Sequence, residues 1–413
     1  ALVNQGVGKN GRVTELCSEI LDQRQDDAAA YSKRADAYVA MDQFHEALAD
    51  YGEALRCNCD FTAAYIGRSE IVRAMGRFEE ALADHDQIIR LLPDDAQAHF
   101  DRGSTNQALV HNEEALSDYV RAIELNPQQT QAYFNSGIIY MKLGRFQAAR
   151  EVFNEAVRLH PSDVYHYHRG RSAEELGLWE EALADYDAAI ERNPGMAKAY
   201  GKRGRTYLAL ALYPEALASY EESIRLNAAD VQSHSGFGLT SQILGNNEAA
   251  VDAFSTAIHL DPGQTQVYYH RGNAYYALDR FEEALRDFNE VLRRNPEDYA
   301  TYRDRGRTNF VLNRYENALA DYNMALSFNS DDALVYSGRA AVYLRLNQDL
   351  QAISDYNEAI RLDPEDAQSY LGRGLAFEAV EDYSHALADF NETIQIDPSS
   401  ASALSLIHIS EPT

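Results

Sequence analysis

The chain has 413 residues, in which 65 Asp and Glu stand against 37 Lys and Arg for a formal net charge of −28. The acids are spread along the whole sequence, which reads as a solvated outer surface and argues against nucleic acid as a partner. No apolar run reaches the length of a membrane span. Cys17, Cys57 and Cys59 are too few and too badly spaced for a disulfide framework or a C-x-x-C site.

A fixed internal period has to be sought before domains are counted. The clearest unit is Tyr268 to Pro296, YYHRGNAYYALDRFEEALRDFNEVLRRNP, whose apolar residues keep the three-and-four spacing of two helices that meet at Asp279. Its small residue Gly272 has equivalents at Ala35, Ser69, Gly103, Gly137, Gly170, Gly204, Gly238, Gly306, Ala340 and Gly374. Their spacing is 34 residues, apart from one step of 33 between Gly137 and Gly170.

In chain order, residues 1–27 fit the period only as a second half-unit, with Val13, Cys17 and Ile20 on its apolar side. Residues 28–400 hold eleven complete units. From Leu404 the pattern fails, and LSLIHISEPT reads as translated adapter sequence, so residues 401–413 are set aside as a non-native tail. The chain starts without Met and shows no polar-faced cap, so it reads as part of something longer. A missing leader therefore carries no weight, and the thiols suit a reducing compartment such as the cytoplasm without requiring it.

With the small residue counted as position 8, position 20 is Ala in all eleven units, and position 24 is aromatic in all but one, His85. Position 17 is aromatic in eight units and Pro closes eight at position 32. This pattern resembles the tetratricopeptide repeat family. The resemblance implies an all-α fold, a right-handed α-solenoid (superhelix) of antiparallel helix-turn-helix hairpins. Small residues at 8 and 20 allow close approach, and rings at 4, 17 and 24 fill the gaps. Gly, Asn or Asp at position 15 suits the left-handed residue that ends a helix.

Position 7 lies on the buried stripe yet is Arg in nine units. A buried guanidinium without a partner is costly. Position 23 stands at the same height on the facing helix and supplies Asp in eight of those nine. The expected pairs are Arg34 with Asp50, Arg68 with Asp84, Arg102 with Asp118, Arg169 with Asp185, Arg271 with Asp287, Arg305 with Asp321, Arg339 with Asp355 and Arg373 with Asp389. Arg203 faces Ser219 and has no evident partner in its own unit. The two units without Arg, at Ser136 and Phe237, also lack the Asp. These pairs are read as structural staples.

The family resemblance places positions 2, 5, 9, 12 and 13 on the concave face, free to meet a ligand. That gives Phe134 and, in the two units after it, one cluster of Tyr167, Arg171, Glu174, Lys198 and Arg205, with Lys202 beside them at position 6. A second holds Tyr269, Asn273, Tyr276, Arg303, Arg307 and Phe310. Both are basic and aromatic within an acidic chain, which suits a protein or peptide partner carrying acidic residues. The clamp that some family members use for chaperone tails is absent: Asn135 holds one of its positions, but Phe100 and Ser104 stand where its first Lys and Asn belong, and Val164 and His168 where its second Lys and its Arg belong.

Gly6, Gly8 and Gly11 match G-x-G-x-x-G, but no strand precedes them, so they nominate no phosphate site. His166 stands where other units have Tyr and reads as a core ring, and His168 points elsewhere, so with His160 they form no metal site. Asn391 to Thr393 is a glycosylation triplet within a helix pattern. No cofactor or catalytic motif is present. The expected function is a non-enzymatic scaffold or adaptor. The rival is the substrate-recognition arm of a transferase, protease or kinase whose catalytic domain lies elsewhere. Oligomeric state is not legible.

Overall fold

The computed structural model describes residues 2–399, with side chains from Lys9 onward. Among the described residues there are twenty-three helices and no strand. A leading helix, Leu2–Gln23, precedes eleven hairpins that run from Ala28–Val39 with Phe44–Cys57 to Ala367–Ala379 with Tyr383–Ile396. Gly6, Gly8 and Gly11 fall inside that leading helix and make no turn. The tail from residue 401 lies outside the described residues.

Each second helix has 14 residues, about 20 Å. Side-chain caps start many first helices: Asp27, Asp95, Asp230, Asp298, Asp332 and Asp366 each accept a bond from a backbone amide of the first turn.

The chain divides into two compact units, Ala1–Lys202 and Arg203–Thr413. In the first, the leading helix packs on Ala28–Val39, and each hairpin then packs its second helix on the first helix of the next. In the second, the same rule runs from Tyr213–Leu226 to the last hairpin. The extensive contacts join consecutive helices, with smaller ones between alternate first helices. Neighbour-on-neighbour packing of this kind defines a solenoid.

Close approach within a hairpin depends on the small residues. All eleven alanines at position 20 are fully buried. A Cβ built on Gly272 would come within 2.7 Å of the Phe288 ring, so the ring at position 24 needs the space that glycine leaves.

At each turn, position 15 has positive φ. Glycine, Asp and Asn supply most of these residues, as expected, but Val110 (φ 63°), Ala211 (φ 56°) and Glu381 (φ 63°) adopt the same conformation. Their local preference is overridden because the two packed helices leave the connecting chain one way to turn.

Candidate partner-binding face

The positions that repeat most strictly set the framework for those that vary. Arg271 donates through Nε and Nη2 to Asp287 at 2.8 Å each, and Arg34 holds Asp50 at 2.7 and 2.8 Å. The same two-point geometry joins Arg68 to Asp84, Arg102 to Asp118, Arg169 to Asp185, Arg305 to Asp321, Arg339 to Asp355 and Arg373 to Asp389. The aspartates are buried and the arginines half-buried.

A contact invisible in a single unit adds to this. The remaining guanidinium nitrogen reaches back to position 25 of the preceding hairpin, as from Arg102 to Asp86 at 2.9 Å, Arg305 to Asn289 at 2.6 Å and Arg339 to Asn323 at 2.7 Å. Each such arginine therefore ties two hairpins. Arg203 is not partnerless in its own hairpin, contrary to expectation: its Nε donates to Ser219 Oγ at 3.1 Å, a hydroxyl taking the place of the carboxylate.

On the other side of the hairpin, the position-24 ring passes under the first helix and brings its hydroxyl toward the varied face. Tyr51 donates to Asp36 at 2.5 Å, Tyr119 to Gln107 at 2.7 Å and Tyr186 to Glu174 at 2.5 Å. The residue at position 6 of the next hairpin lies over that phenol. It is Gly67 over Tyr51 and Gly338 over Tyr322, where a Cβ would come within 2.3 and 2.8 Å of the ring.

In the first unit this geometry changes the expected cluster. Glu174 is buried, held by Tyr186 and lying 3.6 Å from Lys202 Nζ. It belongs to the floor and not to the open face, because the phenol draws its carboxylate inward; Lys202 is drawn in with it. Phe134 is half-buried in a ring cluster, 4.9 Å from Tyr165 and 5.3 Å from His168 between centroids. Arg171 lies 6.0 Å over the Tyr167 ring, and Lys198 is exposed.

His168 also packs on Phe153 and Tyr167, and its pKa is pushed down to about 4 by burial, then by Arg171 and Lys198. It is a neutral part of the floor that position-by-position reading missed. The clue was available: position 6 carries His at His168 and His270, after hairpins with Phe at position 24, where no phenol hydroxyl needs room. Arg205 is exposed and belongs to the second unit.

The second cluster lies wholly in the second unit. Tyr269 donates to buried Asp304 at 2.7 Å, and burial together with that carboxylate raises its pKa to about 12. Arg303 sits 3.1 Å from Asp304 and 3.6 Å from Asp332, so its charge is matched within the protein. Arg307 differs. It is exposed, with its guanidinium 4.0 Å over the Tyr276 ring. Asn273, at the same position of the preceding hairpin, is half-buried, and Phe310 packs 5.9 Å from Tyr315.

The histidines take ordinary structural places. His166 Nδ1 bonds Asp185 at 3.0 Å, and His99 Nε2 donates to the Pro93 carbonyl at 2.9 Å. Among the described residues no group of three or more His, Cys, Asp or Glu could hold a metal ion, and no helix is long and apolar enough to cross a membrane. Asn391 lies within the helix Tyr383–Ile396.

The family profile described as tetratricopeptide repeat matches residues 32–96, 107–164, 167–231 and 269–333, more than half of the chain. A second, described as TPR repeat, matches residues 243–279 and 343–380. The chain belongs to the tetratricopeptide repeat family. It is therefore of the protein-interaction scaffold class, whose members are in general non-enzymatic.

Among solved structures, the APC/C hetero-tetramer Cut9–Hcn1 is similar with TM-score 0.48 and 15% identity, covering 100% of this chain and 94% of that one. YrrB, a TPR protein with an unusual peptide-binding site, gives 0.40 and 22%, covering 45% of this chain and 96% of its own. Yeast Tom70 gives 0.38 and 17%, covering 93% and 95%. Among curated proteins no sequence matches.

Proposed function

We propose that the chain is a non-enzymatic adaptor that holds a partner segment along its first helices, and that the second unit takes an acidic one. Arg307 carries this reading. Arg303 beside it is already matched by Asp304 and Asp332, whereas Arg307 is exposed and braced on Tyr276. A guanidinium held over a ring offers its edge donors to a carboxylate, while the neighbouring aromatic surface accepts apolar side chains. In the first unit Arg171 on Tyr167, with Lys198, presents the same combination.

Fluorescence anisotropy with a labelled twelve-residue peptide of alternating Glu and Leu tests this. Arg307→Glu is expected to weaken binding at least tenfold, with an unchanged circular-dichroism melt because the side chain is exposed. Unchanged affinity would remove Arg307 from the reading.

A further inference from the structure

Hairpins 1 and 2 build a different kind of surface from the same positions. A cleft of about 440 Å³ lies between the first helices Ala28–Val39 and Thr62–Ala74. Its walls are apolar, from Val39, Phe44, Ala63, Ile66, Ile71 and Ala74. Phe44 and Ile66 are 41% and 40% exposed, a large apolar pair left in solvent. Tyr51 forms the floor, and Gly67 keeps the floor open, since a Cβ there would come within 2.3 Å of the phenol.

The charges at this cleft have one sign. Asp36 and Glu70 line it, both exposed, and Asp36 is fixed by the Tyr51 hydroxyl at 2.5 Å. Arg73, on the same helix as Glu70, is not part of the lining and acts on His85 of its own hairpin and Asp101 of the next. An apolar recess with two carboxylates and no cation in its lining complements an apolar side chain that has a cation beside it. It repels the acidic segment suited to Arg307.

We infer that this cleft binds a basic-apolar peptide segment, seating one Leu-, Ile- or Phe-type side chain between Ile66 and Phe44 with a flanking Lys or Arg on Asp36 and Glu70. The volume fits a side chain or two of such a segment. The inference rests on the reading that the first helices carry the ligand face, and it assigns them a second specificity of opposite charge.

The test uses the full chain and two labelled twelve-residue peptides that differ only in charge, alternating Lys and Leu or alternating Glu and Leu, at fixed ionic strength. Glu70→Lys, and Ala63→Trp to fill the recess, are expected to weaken the Lys–Leu probe at least tenfold and leave the Glu–Leu probe unchanged. Glu191→Lys makes the same change in net charge on an exposed helix position away from the cleft and is expected to have little effect.

Equal weakening by Glu70→Lys and Glu191→Lys would reduce the effect to general attraction by an acidic chain and overturn the inference. Full Lys–Leu binding by a folded Ala63→Trp variant would also overturn it. Binding of the Glu–Leu probe alone would overturn it and leave the Arg307 reading standing. Binding of neither would sink both.

Discussion

The Arg–Asp row and the first-helix face run through the same hairpins and are built by opposite rules. Position 7 is Arg in nine of eleven hairpins, and in eight of these it meets Asp at position 23. Position 9, two residues along the same helix, runs from Asp36 and Glu70 through Ser104 and Asn273, and Ile138, Leu239, Ala341 and Leu375, to Arg171, Arg205 and Arg307. A charge on the buried stripe tolerates few solutions, because a hairpin that loses its partner is left with an uncompensated ion; Arg203, with the Ser219 hydroxyl in place of a carboxylate, is the exception. A solvent-facing position has no such constraint. Repetition therefore marks where packing decides the residue, and variation marks where ligand chemistry can be written.

Removing a buried partner should separate these two sides most sharply. Burial pushes the Asp287 carboxyl above its ordinary range against the pull of Arg271, so desolvation outweighs the attraction on that side of the pair. Asp287→Ala leaves the half-buried Arg271 guanidinium unmatched and is expected to cost about 3 to 5 kcal/mol. Replacing both residues with Met and Leu should recover most of it. Urea denaturation of the two single variants and the double variant measures the coupling, and an additive cycle would show that the row is not a set of staples.

His85 takes the place of the position-24 ring in hairpin 2. It is buried, and neither ring nitrogen has a hydrogen-bond partner. Burial, then Arg73 and Arg102, lower its pKa from the ordinary 6.5 to about 4. The unfolded chain thus takes up a proton below pH 6.5 that the folded chain refuses until near pH 4, so stability falls as acid is added across that window. His85→Phe abolishes this contribution. The original chain should lose about 3 kcal/mol more than the variant between pH 7 and pH 4. Parallel pH dependences would mean that the ring is hydrated or paired when folded.

The smallest effect concerns a turn outside both surfaces. Val110 has φ 63° and is 71% exposed, so its side chain contributes strain and little packing. Val110→Gly should raise stability by about 1 kcal/mol, the relief of left-handed strain less the greater freedom of glycine in the unfolded chain. A lower melting temperature would show that Val110 makes a contact worth more than its strain.

Much of the framework was readable in advance and the make-up of the candidate face less so, for reasons that individual residues make clear. Arg271 could be assigned to Asp287 because both stand equally far from the turn at Asp279. Glu174 could not be recognised as buried, since position 12 alone does not say that the Tyr186 hydroxyl will take its carboxylate. Arg303 looked as available as Arg307, yet Asp332, from the following hairpin, lies close enough to share its charge. The recess between Ile66 and Phe44 also escaped, because it depends on Gly67 of one hairpin lying over the Tyr51 ring of the hairpin before.

Helix, turn, period and the Asp partner of eight half-buried arginines are consequences of spacing along the chain. Helical phase and distance from a bend are local quantities, countable in one strand of letters. Which charges stay open to a ligand, and which recesses stay empty, depends on hydroxyls, carboxylates and rings brought in from the facing helix and from the adjoining hairpin. Those distances do not exist until the hairpins stack, so only the packed structure could separate Arg307 from Arg303 and Glu70 from Glu174.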